Sequence, residues 1–242
     1  MSLNLKKRLA LNAIAAGMSL PDESITRVQE LVSLKHLLDL AKINCVLDVG
    51  ANEGQFATDV RGIGFKGLIV SFEPLRQEFS RLQKTFGQDP LWRGFQFALG
   101  DKSGPAKINV IPHLTVMSSI LQSTAKWRSV EIEDIEVRRL DDIFHAAISD
   151  LAEPRVLLKM DTQGYDLRVF QGAAQSLRHI HALHSELSVV PIYAGMPHYI
   201  EALDTFERAG FELFNLAVVS RTTRGGLQEL NCLMARGAEG HA

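Results

Sequence analysis

The chain has 242 residues, 46% of them hydrophobic, enough to build a full core. Its 26 basic and 28 acidic residues leave a formal charge of -2, so no basic excess points to duplex DNA or bulk RNA as a partner. The two cysteines, Cys45 and Cys232, sit in apolar strand-like runs and read as buried thiols of a reducing compartment, and no apolar run reaches the roughly 18 residues that span a bilayer.

At the N-terminus, Lys6-Lys7-Arg8 precedes an apolar stretch in the order of a secretory signal. That stretch is short and Asn12 interrupts it, while Leu3, Leu11 and Ile14 share one helical face. A surface helix over residues 3–16 is therefore expected, without stable membrane insertion, in a cytoplasmic protein. A second helix is expected over 22–40, started by Pro21 and Asp22. Residues 1–40 then form a helical extension ahead of one domain, 41–242.

Strands and helices alternate from there. Strands are expected at 43–49, 68–72 and 93–99, with helices at 55–63 and 75–86 between them. Residues 104–140 depart from the alternation, with strands at 106–111 and 135–140 around a polar, Ser-rich stretch, and read as an insertion lying over a pocket. Alternation resumes with strands at 155–160 and 181–187 and helices at 166–177 and 196–209. Strands at 211–219 and 227–234 bracket Arg224-Gly225-Gly226, a hairpin signal. The pattern predicts an α/β fold: a mostly parallel, Rossmann-like sheet of seven strands, one antiparallel, with helices on both faces.

The first strand runs into Asp48-Val49-Gly50-Ala51-Asn52-Glu53-Gly54, a small-residue turn opening a helix. The second ends at Phe72-Glu73-Pro74, with the proline holding Glu73 extended. A glycine turn after one parallel strand and an acid at the end of its neighbour describe a nucleoside pocket, the acid reaching ribose hydroxyls. The bland alternative for Glu73 is a solvated strand-end acid. Spacing decides the nucleotide: Asn52 stands where the dinucleotide pattern places the glycine that meets a pyrophosphate. S-adenosylmethionine, which has no phosphate, fits better than a nicotinamide dinucleotide. The backbone N–H groups of Gly50 to Gly54 are expected to face its carboxylate, and Asp48 to hold the loop or the ammonium group.

Lys159-Met160-Asp161-Thr162-Gln163-Gly164-Tyr165-Asp166 is a third strand-end acid with a glycine turn. Asp161 is expected to bind the cofactor ammonium or take a substrate proton, and Asp166 to cap a helix. His184 and Glu186, two apart on one strand, share a face. They read as a general base and its orienting partner; a metal pair and a plain hydrogen-bonded pair are the alternatives, and no specific metal motif is present. Ser118, Ser119, Tyr193, His198 and Trp127 are candidates for acceptor contacts at the rim.

These segments, with Ala98-Leu99-Gly100-Asp101, Met117-Ser118-Ser119, Leu140-Asp141-Asp142, Gly172-Ala173 and Gly210-Phe211, resemble the FkbM-type class I methyltransferase family from about residue 45 to 236. The resemblance implies S-adenosylmethionine as cofactor, with Ala98 among the cofactor contacts, and O-methylation of a sugar or polyketide hydroxyl. A small-molecule, glycan or glycolipid acceptor is expected, and no nucleic acid. Two departures, Asn231 in the last strand where members often carry an acid and Gln163 for a commoner Glu, weaken a metal role. The rival functions are a nicotinamide-dependent dehydrogenase and a binding module without turnover.

Overall fold

A computed structural model describes residues 22–124, 127–149 and 151–237. The helix expected over 3–16 lies outside them. Helix α1 (Asp22–Leu40) leads into strand β1 (Cys45–Val49), helix α2 (Gln55–Gly62), β2 (Leu68–Phe72), α3 (Arg76–Phe86) and β3 (Trp92–Phe95). Then come β4 (Ala98–Leu99), β5 (Gly104–Val110), β6 (Glu131–Arg138), α4 (Leu140–Ala147), β7 (Val156–Met160) and α5 (Asp166–Gln171). Strand β8 (Ile180–Ser188), α6 (Tyr199–Arg208), β9 (Phe211–Arg221) and β10 (Leu227–Arg236) complete the domain.

Seven strands form one sheet in the order β3-β2-β1-β7-β8-β10-β9. Among the described residues, β10 alone runs against both its neighbours in this sheet. All five residues of β1, β2 and β7 are buried, as expected of parallel strands covered on both faces. Side-chain alternation sorts the core into two layers. Leu47, Phe72, Leu158 and Leu183 face Leu140, Phe144, Leu167 and Phe206, which come from α4, α5 and α6. Val46, Ile69, Leu157 and Ala182 face Leu34, Leu37, Phe56, Val60, Leu82 and Phe86, which come from α1, α2 and α3. Among the described residues, three helices thus cover each face.

The strand expected over 93–99 divides. Trp92–Phe95 joins the large sheet beside β2, whereas Ala98–Leu99 pairs with Val137 and Arg138 in a second sheet, β4-β6-β5. Phe97 turns inward against Phe72 and Phe95 between the two pieces, so the apolar run is continuous although the pairing is not. The helix expected over 166–177 also divides, ending at Gln171 before a 3-10 turn at Ser176–His179. There the Asp141 carboxylate accepts the N–H groups of Gln175 and Ser176 and the Ser176 hydroxyl, satisfying donors that a continuing helix would have paired internally. The small sheet packs Ala98, Ile108, Val110, Ile135 and Val137 against Leu75, which precedes α3.

Candidate active site

The strand order reverses about β1, whose neighbours are β2 and β7, and a crevice opens beyond the carboxyl ends of such strands. A cleft with about 650 Å³ of empty space, open mouth included, lies there. Gly50, Asn52, Glu73, Ala98, Asp161 and Tyr165 are among its walls. Residues 115–120 cross it: Asn52 Nδ2 donates to Thr115 Oγ1 at 3.2 Å, and Ser119 Oγ to the Gln163 carbonyl at 2.8 Å.

The turn after β1 approaches β7 closely. Gly50 has φ +74°, and a Cβ on it would lie 2.0 Å from the Asp161 carbonyl oxygen, so only glycine fits. Gly54 instead seats the start of α2 against Phe86 and Leu82 of α3, and Ala51 is core at 2% exposure. The N–H groups of Gly50, Ala51, Asn52 and Gly54 are taken up by acceptors of the chain itself, against the expectation that they face a cofactor carboxylate. Those of Gly50 and Ala51 donate to the Phe72 carbonyl at 3.1 Å each, and that of Asn52 to Glu73 Oε2 at 2.8 Å. The loop crosses the end of β2, which presents these acceptors to it.

Glu73 is buried, and its other oxygen accepts the Leu75 N–H at 2.9 Å. Burial pushes its carboxyl up to about 7, against the opposing pull of the Leu75 and Asn52 hydrogen bonds. Each carboxylate oxygen keeps a second lone pair for a ligand hydroxyl. Asp161 sits opposite, its side chain 42% exposed.

Asp48 does not reach the cleft. It is fully buried and paired with Lys159 Nζ at 2.9 Å. Asp166 begins α5 without capping it from the N-cap position. Its carboxylate accepts the Thr162 N–H at 2.8 Å and the hydroxyls of Thr162 and Ser185, bracing the turn that carries Asp161. Burial pushes Asp166 up to about 6, opposed by those bonds and aided by Asp161.

His184 and Glu186 are not partners. His184 Nε2 pairs with Glu30 Oε1 of α1 at 2.8 Å, under Phe56, at 3% exposure. The row Asp48, Lys159, His184 lies on the sheet face that α1 and α2 cover, which takes His184 away from the cleft. Glu186 Oε2 accepts from Gln163 Nε2 at 3.0 Å. Burial, with Asp161, Glu229 and Asp166 nearby, pushes Glu186 well above the usual carboxylate range.

Gln163 is the residue that spacing missed. Its Nε2 also reaches Asp161 Oδ1 at 3.2 Å, and its Oε1 accepts from the Tyr193 hydroxyl at 3.0 Å. Its φ is +51°, sparsely populated for a side chain of this size. The legible signal was its position two residues beyond Asp161. Ser118 and Ser119 line the cleft. Trp127 and Tyr193 line a separate hollow with Met117, and the His198 ring lies tilted against Tyr199, centroids 4.5 Å apart. Among the described residues no three His, Cys, Asp or Glu side chains are grouped to hold a metal ion.

The sequence model of the Methyltransferase FkbM domain matches residues 48–213. The chain is similar to the 2-O-methyltransferase NoeI of Sinorhizobium fredii, 25% identical over 222 residues, covering 85% of this chain and 87% of that one. Similar solved structures include a TehB-like SAM-dependent methyltransferase from Corynebacterium glutamicum (13% identity, 97% of each chain, TM-score 0.43). Another is an rRNA methylase from Streptococcus thermophilus (8% identity, 86% of this chain and 94% of that one, TM-score 0.46).

Proposed function

Since the chain belongs to the FkbM methyltransferase family, we propose that it moves a methyl group from S-adenosylmethionine to a hydroxyl of a small molecule or glycan, specifically a sugar hydroxyl of a glycoconjugate. The observation that carries the reading is the pair Glu73 and Asp161, on opposite walls of one cleft beside Gly50. The cleft suits the cofactor: Glu73 has free lone pairs for ribose hydroxyls, and Phe72, Leu75, Leu99 and Ile108 offer an apolar wall for a purine. The 2-O-methyltransferase relative supports the hydroxyl and the sugar, and the charge of -2 supports an acceptor other than nucleic acid. The free, buried Cys45 and Cys232 support a cytoplasmic setting, and no described helix is long and apolar enough to cross a membrane.

When bound, S-adenosylmethionine supplies an electrophilic sulfonium methyl. The chain's part is to align a hydroxyl oxygen with it and to accept the proton that oxygen loses. Asp161 is the candidate acceptor, because it is the carboxylate exposed to the cleft beside the crossing segment. That segment, within residues 104–140, serves as the lid that excludes water. Calorimetry with S-adenosylmethionine and with NAD tests the cofactor, and transfer of labelled methyl to a panel of glycosides tests the acceptor. Tighter binding of NAD, or label on RNA and none on glycosides, refutes the reading.

A further inference from the structure

We infer that Lys159 is the positioning residue of the cofactor loop, its ammonium group fixing the Gly50 carbonyl from beneath the sheet edge. This rests on the cofactor reading above. Lys159 is the penultimate residue of β7, and its side chain is 4% exposed. Its Nζ donates to the Gly50 carbonyl at 2.9 Å and to the Val49 carbonyl at 3.4 Å, and pairs with Asp48 Oδ1 at 2.9 Å. Phe56 covers it, the ring centroid 5.5 Å from Nζ.

A buried ammonium needs such partners. Burial alone lowers its pKa, but Asp48 and Asp161 outweigh that and raise it, so the group stays charged. It binds the Gly50 carbonyl, and at longer range the Val49 carbonyl that also accepts the Asp161 N–H at 3.2 Å, at the point where the chain turns with φ +74° at Gly50. The loop is therefore held from two sides. Phe72 takes the N–H groups of Gly50 and Ala51, and Lys159 takes the carbonyls of Val49 and Gly50. The peptide plane between Gly50 and Ala51 is bonded at both its carbonyl and its N–H, and this plane sets where Asn52 and the Gly50 backbone would meet the cofactor. Asp48, expected to hold the loop or the cofactor ammonium group, pairs with the lysine that holds the loop. Lys159 also stands 3.9 Å from Asp161 Oδ2, which ties the loop to the opposite wall of the cleft.

The test separates positioning from charge balance. K159M leaves Asp48 buried without its cation and is expected to fold poorly. The double variant D48N/K159M removes both charges at nearly constant volume and is expected to melt cooperatively. The full chain is titrated with S-adenosylhomocysteine by calorimetry, and its Ala51 amide is followed by ¹⁵N NMR, since that nitrogen reports on the Gly50 carbonyl. Affinity at least tenfold weaker than wild type, with a displaced Ala51 resonance and unmoved β2 resonances, is the expected result. Affinity within twofold of wild type, or an unmoved Ala51 resonance, overturns the assignment and leaves Lys159 as a counter-ion only. A wild-type chain that binds neither S-adenosylhomocysteine nor S-adenosylmethionine refutes the cofactor reading itself, and this inference with it.

Discussion

His184 and Glu30 form a buried pair, Nε2 2.8 Å from Oε1, that ties strand β8 to helix α1 across 154 residues of sequence. Arg27 and Asn231 bind the same carboxylate. Burial of Glu30 is outweighed by His184 and Arg27, which hold it down at about 2. Its folded pKa lies below its unfolded value near 4.5, so its stabilisation is present above 4.5 and is lost as pH falls from there through about 2. His184→Leu removes one charged hydrogen bond, about 2 kcal/mol, and is expected to lower Tm by roughly 4–8 °C. Methyl transfer per folded molecule should stay within about twofold. A collapse of turnover at wild-type stability would restore His184 as the base.

Glu73 predicts a pH-dependent cofactor affinity. In the proposed complex ribose hydroxyls would donate to the ionised carboxylate, which at a pKa of about 7 is present in about one molecule in ten at pH 6. Cofactor affinity should therefore rise about tenfold from pH 6 to pH 8, and Glu73→Gln should be weaker and flat. For stability the sign is opposite. Between 4.5 and about 7 the folded chain holds a proton that the unfolded chain has lost, so this group's contribution falls as pH rises through that window. Calorimetric titrations at pH 6, 7 and 8 check the first expectation; a flat wild-type profile would sink it.

Gly50 and Gly64 form a matched test of the loop. Both have positive φ, but only at Gly50 would a Cβ meet backbone, 2.0 Å from the Asp161 carbonyl oxygen. Gly64→Ala should cost about 1 kcal/mol, the price of a left-handed residue alone. Gly50→Ala should cost more and abolish measurable cofactor binding. Equal melting temperatures for the two variants would contradict the close approach of the β1 and β7 turns.

Gln163 predicts a graded effect on turnover. Its amide donates to Asp161 at 3.2 Å and to Glu186 at 3.0 Å. Asp161→Asn should leave the melting curve intact and reduce methyl transfer by about a hundredfold or more, the scale of one positioned proton acceptor. Gln163→Leu should reduce it about tenfold, because Asp161 remains but loses the amide that aims it. Wild-type turnover in Asp161→Asn would remove that residue from the chemistry.

Local pattern determined the layers of this protein. Buried runs such as Cys45–Val49 and Val156–Met160 declare parallel strands, and the turns that follow them mark one cleft, because strand period and turn chemistry act over a few residues. The edges of that legibility are physical. Phe97 belongs to one apolar run but marks the exit from one sheet to another, and periodicity carries no record of which strand a residue pairs with. Spacing also located Asp48, His184 and Glu186 on the right strands without saying what covers each face. Only the tertiary structure decided that, by setting β1, β7 and β8 in register and laying α1 over them. Asp48 then meets Lys159, His184 meets Glu30, and Gln163 meets Asp161 and Glu186. Two of these contacts span more than a hundred residues, and they exist because sheet order, not sequence distance, brings the groups together.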